Sequence, residues 1–390
     1  MIPISYNFRS LAVRRTTTIA TALGIALVVF VLAASLMLGE GIERTMGSSG
    51  KPDYALVTRK GADGELSSNL ENRLISLVMA APGVSRDGNG LPFGAGEVVT
   101  VIALDKIGAE PGQVSNVAVR GVTDNVMKLR PEVRIVDGRP AQPGTDEVII
   151  GQRIRGRFRN VELGSSFDLK KNRPVKVVGV FESQGSSFES EVWGDVDTVR
   201  SSFGRDGVVS SVTVKLDSPT KYDGFAQTMQ NDKQLGLQVE RQDIYYEKQS
   251  EATSTFVRIL GIIVAVLFSM GAMIGAMITM YAAVAQRRRE VGTLRALGFS
   301  RFAILTSFLL EASMLALAGG VLGAAFASLL TFVKFSMLNF QTWSEVVFSF
   351  RPTPGILITA VVAGAAMGLF GGLLPAIRAA RTNPVEAMRA

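Results

Sequence analysis

Residues 287–301 read RRREVGTLRALGFSR, a basic stretch set between two long runs without charge. On its N-terminal side Ile259–Gln286 holds 28 uncharged residues. On its C-terminal side Phe302–Val333 holds 32 residues, interrupted only by Glu311. Roughly 20 apolar residues cross the hydrocarbon core of a bilayer as helix, so each run is long enough to span. Thr16–Gly39, with 24 residues, and Pro352–Ile377, with 26, qualify as well. Arg9, Arg14 and Arg15 precede the first run as they would in a signal peptide. A signal peptide's apolar region is about 7–15 residues long, so this run reads as an uncleaved anchor.

Charge then gives direction. The formal net charge is +7 over 390 residues. The N-terminal segment carries +3, the 286–302 loop +4 and the tail +2, whereas residues 40–258 carry −2 and the remainder is neutral. Short basic loops stay on the cytoplasmic side. Both termini and the 286–302 loop are therefore expected in the cytoplasm, with 40–258 and the short 334–354 loop outside. The positive charge is a record of topology and does not point to nucleic acid.

Composition excludes much chemistry. Hydrophobic residues make up 47% and charged residues 19% of the chain; the latter is below the ~25% usual for soluble domains. There is no cysteine and no histidine, so disulfides, thiolate nucleophiles, Ser-His-Asp triads and His- or Cys-ligated zinc are out. The only Gly-Lys pair, Gly50-Lys51, is followed by Pro52, so the phosphate-cradling loop of ATPases is missing. No catalytic residue, metal ligand or cofactor site is assigned, and a membrane-anchored enzyme is the weakest reading.

The fold class expected is four transmembrane helices plus a large outer α+β domain with a β-rich inserted subdomain. Asp53–Thr58 reads as a strand, Ser67-Ser68-Asn69 as caps of a helix bearing Leu70, Leu74, Leu77 and Val78, and Glu97–Leu104 as a second strand. The pattern returns with Ser210–Leu216, a helix carrying Tyr222, Phe225 and Met229, and Leu237–Arg241. Between them Val117–Val122, Glu147–Ile150, Ser166–Leu169 and Val175–Phe181 alternate as strands, with turns at Asp137-Gly138 and Pro143-Gly144. The segments are thus 1–15 amphipathic, 16–39 first span, 40–250 outer domain (about 50–105 and 210–242 around an insert at 106–209), and 243–285 stalk plus second span. There follow 286–301, 302–333, the loop 334–354, 355–377 and the tail 378–390. The stalk, if unbroken, is ~65 Å long at 1.5 Å per residue.

Within 286–301, Val291, Leu294 and Leu297 recur every three residues, and Gly298 suits a left-handed helix end. This short helix admits two readings, a basic anchor at the lipid headgroups or a docking helix for a cytoplasmic partner. Glu311 sits inside a span, where an ionisable group is costly; it is either a packed structural acid or a functional one. Gly319, Gly320, Gly323, Gly364, Gly368, Gly371 and Gly372 allow close helix approach, within one chain or between subunits. Phe335, Phe340, Trp343, Phe348 and Phe350 suggest an interfacial aromatic belt on membrane lipid, with contact to an apolar substrate as the other reading. The stretch around Ser187, Phe188, Glu189 and Trp193 is read as a hairpin or as a partner-contact loop.

This layout, with Arg287–Gly298, Leu309-Leu310-Glu311-Ala312, Leu374–Arg381 and Pro384–Arg389, resembles the MacB/FtsX-type permease of ABC transporters. The resemblance implies mechanotransmission. An ABC ATP-binding subunit on a separate chain would hold ATP and Mg. A second copy of the chain would complete a homodimer, and a periplasmic adaptor (HlyD/MacA-like) and an outer-membrane channel would extend it from a bacterial inner membrane. The coupling helix would present Arg289, Glu290, Val291, Leu294, Arg295, Leu297 and Gly298 to the ATPase. Efflux or extraction is the implied activity; FtsX-like signalling and LolC/E-like lipoprotein release share the layout.

Overall fold

The computed structural model describes residues 13–110, 112–339 and 341–383. Expectations that rest on Arg9 and the 1–12 segment, on Phe340 and on Pro384–Arg389 lie outside the described residues. The elements run α1 (Arg15–Gly47), β1 (Tyr54–Arg59), β2 (Leu70–Glu71), α2 (Asn72–Ala80), β3 (Gly94–Asp105), β4 (Val114–Val122), α3 (Val126–Leu129), β5 (Arg134–Gly138), β6 (Glu147–Gly151), β7 (Ser166–Lys170) and β8 (Arg173–Glu182). They continue β9 (Glu191–Asp195), α4 (Val196–Phe203), β10 (Val208–Val209), β11 (Ser211–Lys215), α5 (Tyr222–Asn231), β12 (Leu237–Arg241), α6 (Gln242–Gln286), α7 (Arg288–Ala296), α8 (Arg301–Ser328), β13 (Lys334–Asn339), β14 (Ser344–Ser349) and α9 (Pro354–Ala380). Two compact units result. One takes the chain up to Gly41, Ser254–Lys334 and the part from Ser349 on; the other takes Ile42–Thr253 and Phe335–Phe348.

The second unit is mixed α/β. Its strands order β12-β1-β11-β3-β4-β9-β6-β8-β5, with β7 on β8. The first four form a split β-α-β-β-α-β arrangement, with α2 and α5 as the connections. The long β3 is shared: Gly94–Glu97 pair with β11, and Val98–Asp105 pair with β4. Insert and flanking part therefore share a strand where the sequence suggested a boundary. α2 begins at Asn72, after the expected caps, because Leu70 pairs with Val209 and Ser68 Oγ accepts from the Arg59 amide at 2.9 Å. Leu74 and Val78 are buried, while Leu77 faces out. The expected turn at Asp137-Gly138 lies in β5, where Gly138 has φ +75°.

Charge is buried at the point where β3 changes partner. Glu97, Arg120, Arg130, Glu65 and Glu191 are all under 9% exposed. Arg120 Nε and Nη2 donate to the two oxygens of Glu191 at 2.8 and 2.9 Å. Its Nη1 donates to Glu65 and Glu97 at 2.9 Å each, and Nη2 to Glu65 at 3.3 Å. Arg130 holds both oxygens of Glu97. The Phe188 ring lies 5.2 Å from the Arg120 guanidinium carbon and 4.7 Å from that of Arg130, within cation–π range. Burial by itself pushes the Glu97 carboxyl up, but Arg130 and Arg120 outweigh it and hold Glu97 below the usual carboxylate range. Burial likewise disfavours charged Arg120, yet Glu191 and Glu65 keep it firmly protonated.

The 334–354 loop is a hairpin, β13–β14, whose residues 335–348 group with this α/β unit. Glu345 pairs with Lys106 at 2.8 Å and with Arg157, and accepts from Ser115. Val347 is bound through its carbonyl by Arg153 and through its amide to Ser190 Oγ at 3.1 Å. Phe348 is buried against this unit, so it is not part of an aromatic belt on lipid. Trp343 is 56% exposed and Phe335 43%.

In the first unit, α1, α8 and α9 pack through Ile25, Val29, Ala33 and Met37 against Ala316, Ala324, Ala360 and Met367. Glycines set the spacing. A Cβ at Gly319 would lie 2.5 Å from the Ala22 carbonyl, and one at Gly323 2.3 Å from that of Ala26. The small residues on these faces thus serve packing within the chain. Each of the four long helices holds a window apolar enough to cross a membrane.

Two outcomes are expected. Arg120→Met leaves three carboxylates buried with one guanidinium and should lower unfolding stability of the full chain in detergent by about 3–5 kcal/mol; a change within 1 kcal/mol in denaturant titration would refute the network's role. Burial raises the Glu345 pKa, but Lys106, Ser115, Ser336 and Arg157 bring it down to about 2, from an ordinary 4.5. Its contribution is complete above pH about 4.5 and lost as the pH falls through about 2. Glu345→Gln should cost about 1–3 kcal/mol at pH 7, with the gap to the parent closing in acid; a gap independent of pH would exclude this account.

Candidate functional site

α7 is nine residues long, and its C-terminal end is closed by local chemistry. At its end Gly298 takes φ +93°. The Phe299 amide reaches the Leu294 carbonyl at 3.1 Å and the Gly298 amide reaches that of Arg295 at 3.2 Å, the paired bonds of a Schellman ending. Arg295 Nη1 donates to the Phe299 carbonyl at 3.0 Å. Ser300 then starts α8, its Oγ accepting from the Ala303 amide at 3.1 Å. The helix, the sharp turn and the next helix start thus follow one another within a few residues.

The expected apolar stripe is divided between two surroundings. Val291 is 3% exposed and packs with Met280 and Val284 of α6, Ile304, Phe308 and Ala312 of α8, and Ala376 and Ala379 of α9. Gly292 is buried beside it. Leu294 and Arg295 are half-buried. Leu297 is 71% exposed, and Arg289, Glu290 and Gly298 are exposed. One edge of α7 is seated on the helices and the other, ending in Leu297, is open.

A buried ion cluster fixes the root of this helix. Glu311 on α8 is 2% exposed. Its Oε1 accepts from Arg14 Nη2 at 3.1 Å and its Oε2 from Arg287 Nη1 at 2.9 Å. Arg287 also donates from Nε to Glu290 on α7 at 3.0 Å, and its guanidinium carbon lies 5.3 Å from the Phe308 ring centre. Glu311 therefore joins residues 297 and 24 positions away, one just before α1 and one just before α7. Sequence alone flagged Glu311 and not its partners. Arg14 and Arg287 read as topology-setting bases, and the signal in hindsight is that Arg287 directly follows an uncharged run and Arg14 lies two residues before one.

The turn at 187–193 gives a correction. Ser187, Phe188, Glu189 and Trp193 are all buried, Phe188 and Trp193 completely. Ser187 is tied to Ser49, its amide and hydroxyl meeting Ser49 Oγ at 2.9 and 2.7 Å. Glu189 pairs with Arg153 at 3.1 Å. Trp193 stacks on Phe181 at 4.5 Å and donates to Glu191 at 2.8 Å. The segment is core, because its aromatics cover the ion network, and it offers no face to a partner. Among the described residues no group of His, Cys, Asp and Glu is placed to hold a metal.

A family model described as MacB-like periplasmic core domain matches residues 18–232, and one described as FtsX-like permease C-terminal matches 262–384. The chain belongs to the MacB/FtsX-type ABC permeases. The permease is 29% identical over 228 residues to the macrolide export ATP-binding/permease protein MacB of Photorhabdus laumondii, and 30% identical over 227 residues to that of Escherichia coli strain K12. Each alignment takes in 56% of the permease and 34% of the relative, so the chain matches about a third of the length of these curated relatives. The solved periplasmic region of MacB from Actinobacillus actinomycetemcomitans is similar over 55% of the permease and 97% of that chain, with 12% identity and a TM-score of 0.38.

Glu311→Gln keeps the shape of the acid and removes its charge. Amide exchange across 287–298 should then quicken roughly tenfold, about 1.4 kcal/mol. Glu290→Gln, at a side chain 58% exposed, should leave exchange nearly unchanged. Equal effects of the two substitutions would rule out the buried clamp.

Proposed function

We propose that this permease is the membrane subunit of an ATP-driven efflux or extraction machine, with α7 as the helix that receives the movement of a separate ATP-binding subunit. The observation that carries this reading is the divided surface of α7. Val291 and Arg287 tie it to α6, α8 and α9, while Leu297 stands exposed on the other edge. A helix that only anchored the chain in headgroups would not need a buried ion cluster at its root.

The chain lacks the phosphate-cradling loop, so ATP and Mg belong on the partner. The names of the MacB relatives join an ATP-binding part to a permease part, which supports pairing this chain with such a subunit. The charge distribution supports a placement with both termini cytoplasmic, and the family supports a homodimer in a bacterial inner membrane. A periplasmic adaptor and an outer-membrane channel complete the export reading.

Leu297→Asp, alone or with Leu294→Asp, should cut co-purification of the ATP-binding subunit at least tenfold while leaving membrane insertion intact. Unchanged association would sink the docking role of α7.

A further inference from the structure

The start of α6 belongs to the α/β unit, which takes the helix up to Thr253. No linker precedes it: β12 ends at Arg241 and α6 begins at Gln242. Arg241 Nε donates to Asp243 at 3.0 Å across this joint. Gln242 is buried, and a Cβ on Gly50 would lie 2.4 Å from its carbonyl oxygen. The chain leaving α1 therefore runs directly over the first turn of α6. From this seat α6 continues as one helix of 45 residues, about 67 Å at 1.5 Å per residue.

Two tyrosines fill the seat. Tyr245 and Tyr246 are both buried, with their rings 5.2 Å apart. Tyr245 Oη accepts from the Glu65 amide at 2.9 Å. Tyr246 Oη donates to Glu65 Oε2 at 3.5 Å, and its ring stands edge-on to Phe188 at 5.6 Å. Both halves of the sheet hold the same acid. Ser211 of β11 donates to Glu65 Oε1 at 2.6 Å, and Arg120 of β4 donates to it at 2.9 Å. Glu65 thus has three anchors, one on the flanking part, one on the insert and one on the long helix. Apolar packing is non-directional and lets a helix slip about its axis. Hydroxyls bonded to one fixed residue do not.

We infer that Tyr245 and Tyr246 are positioning residues that make Glu65 follow α6, so that a turn or tilt of this helix reaches the Arg120 network and changes the angle between the two parts of the sheet. The inference rests on the reading of α7 as the receiver of movement, since α7 starts at Arg288, two residues past the far end of α6.

Amide exchange by mass spectrometry tests it on the full chain co-purified with the ATP-binding subunit, with and without ATP and Mg. In the parent, ATP should change exchange at least threefold both across 287–298 and across 62–68. Tyr245→Phe with Tyr246→Phe keeps the rings and removes the hydroxyls. The response across 287–298 should persist in this variant, and that across 62–68 should fall to a third or less. Ser211→Ala removes a bond to the same carboxylate from the sheet side. It should quicken exchange across 62–68 in both states and keep the response to ATP. An intact response across 62–68 in the double variant, or an equal loss in Ser211→Ala, overturns the role of the tyrosines. A parent that responds across 287–298 but not across 62–68 overturns the relay itself. A parent that responds in neither segment sinks the reading of α7, and this inference with it.

Discussion

Arg120 brings a positive charge into the centre of the α/β unit and spends its whole hydrogen-bonding fork there. Five bonds reach three carboxylates, from Glu65, Glu97 and Glu191. These residues come from the loop before α2, from β3 and from β9, while Arg120 itself is on β4. Apolar burial is non-directional; a planar guanidinium with all its donors used is not. The network sits where β3 leaves one neighbour for another, so the angle between the two parts of the sheet is set by directional bonds. Phe188 and Trp193 exclude water from it, which is why the turn that carries them is core.

The membrane-type unit uses the same device with the signs exchanged. There one carboxylate, Glu311, gathers two guanidiniums from chain-distant positions. Each cluster holds elements that apolar packing alone would leave free to slide. The first fixes strands, the second fixes the segments that lead into α1 and α7. A buried charge with its partners removed is costly, so both clusters favour a single arrangement over near neighbours.

Much of this was legible in the sequence. Spans show as uncharged runs because lipid tolerates little else. The strands of the insert show because Val and Ile alternate with polar residues, and Gly298 ends α7 because only glycine takes φ +93° without strain. What stayed hidden is tertiary. Arg120 stands in a strand-like run as one more polar residue, and nothing local says that three acids from elsewhere will meet it. Ser187–Trp193 looks like a polar turn, though its partners Ser49 and Arg153 lie far off in sequence. The 334–354 loop has an aromatic composition that suits lipid, but Glu345, answered by Lys106 and Arg157, draws it into the α/β unit. Helix starts are similarly open to override, as when Ser68 Oγ accepts from the Arg59 amide instead of capping α2.

The hairpin has a consequence for synthesis. The α/β unit takes Ile42–Thr253 and then Phe335–Phe348. A ribosome delivers the first part long before the second, with two spanning helices between them. Domains generally fold as they emerge, yet this one lacks its last two strands until nearly the whole chain is made. Lys106 and Arg157 must wait, solvated, for Glu345. Completion of the α/β unit therefore waits on synthesis of α8, and a chain that stalls before the hairpin leaves this unit without β13, β14 and their ion pairs.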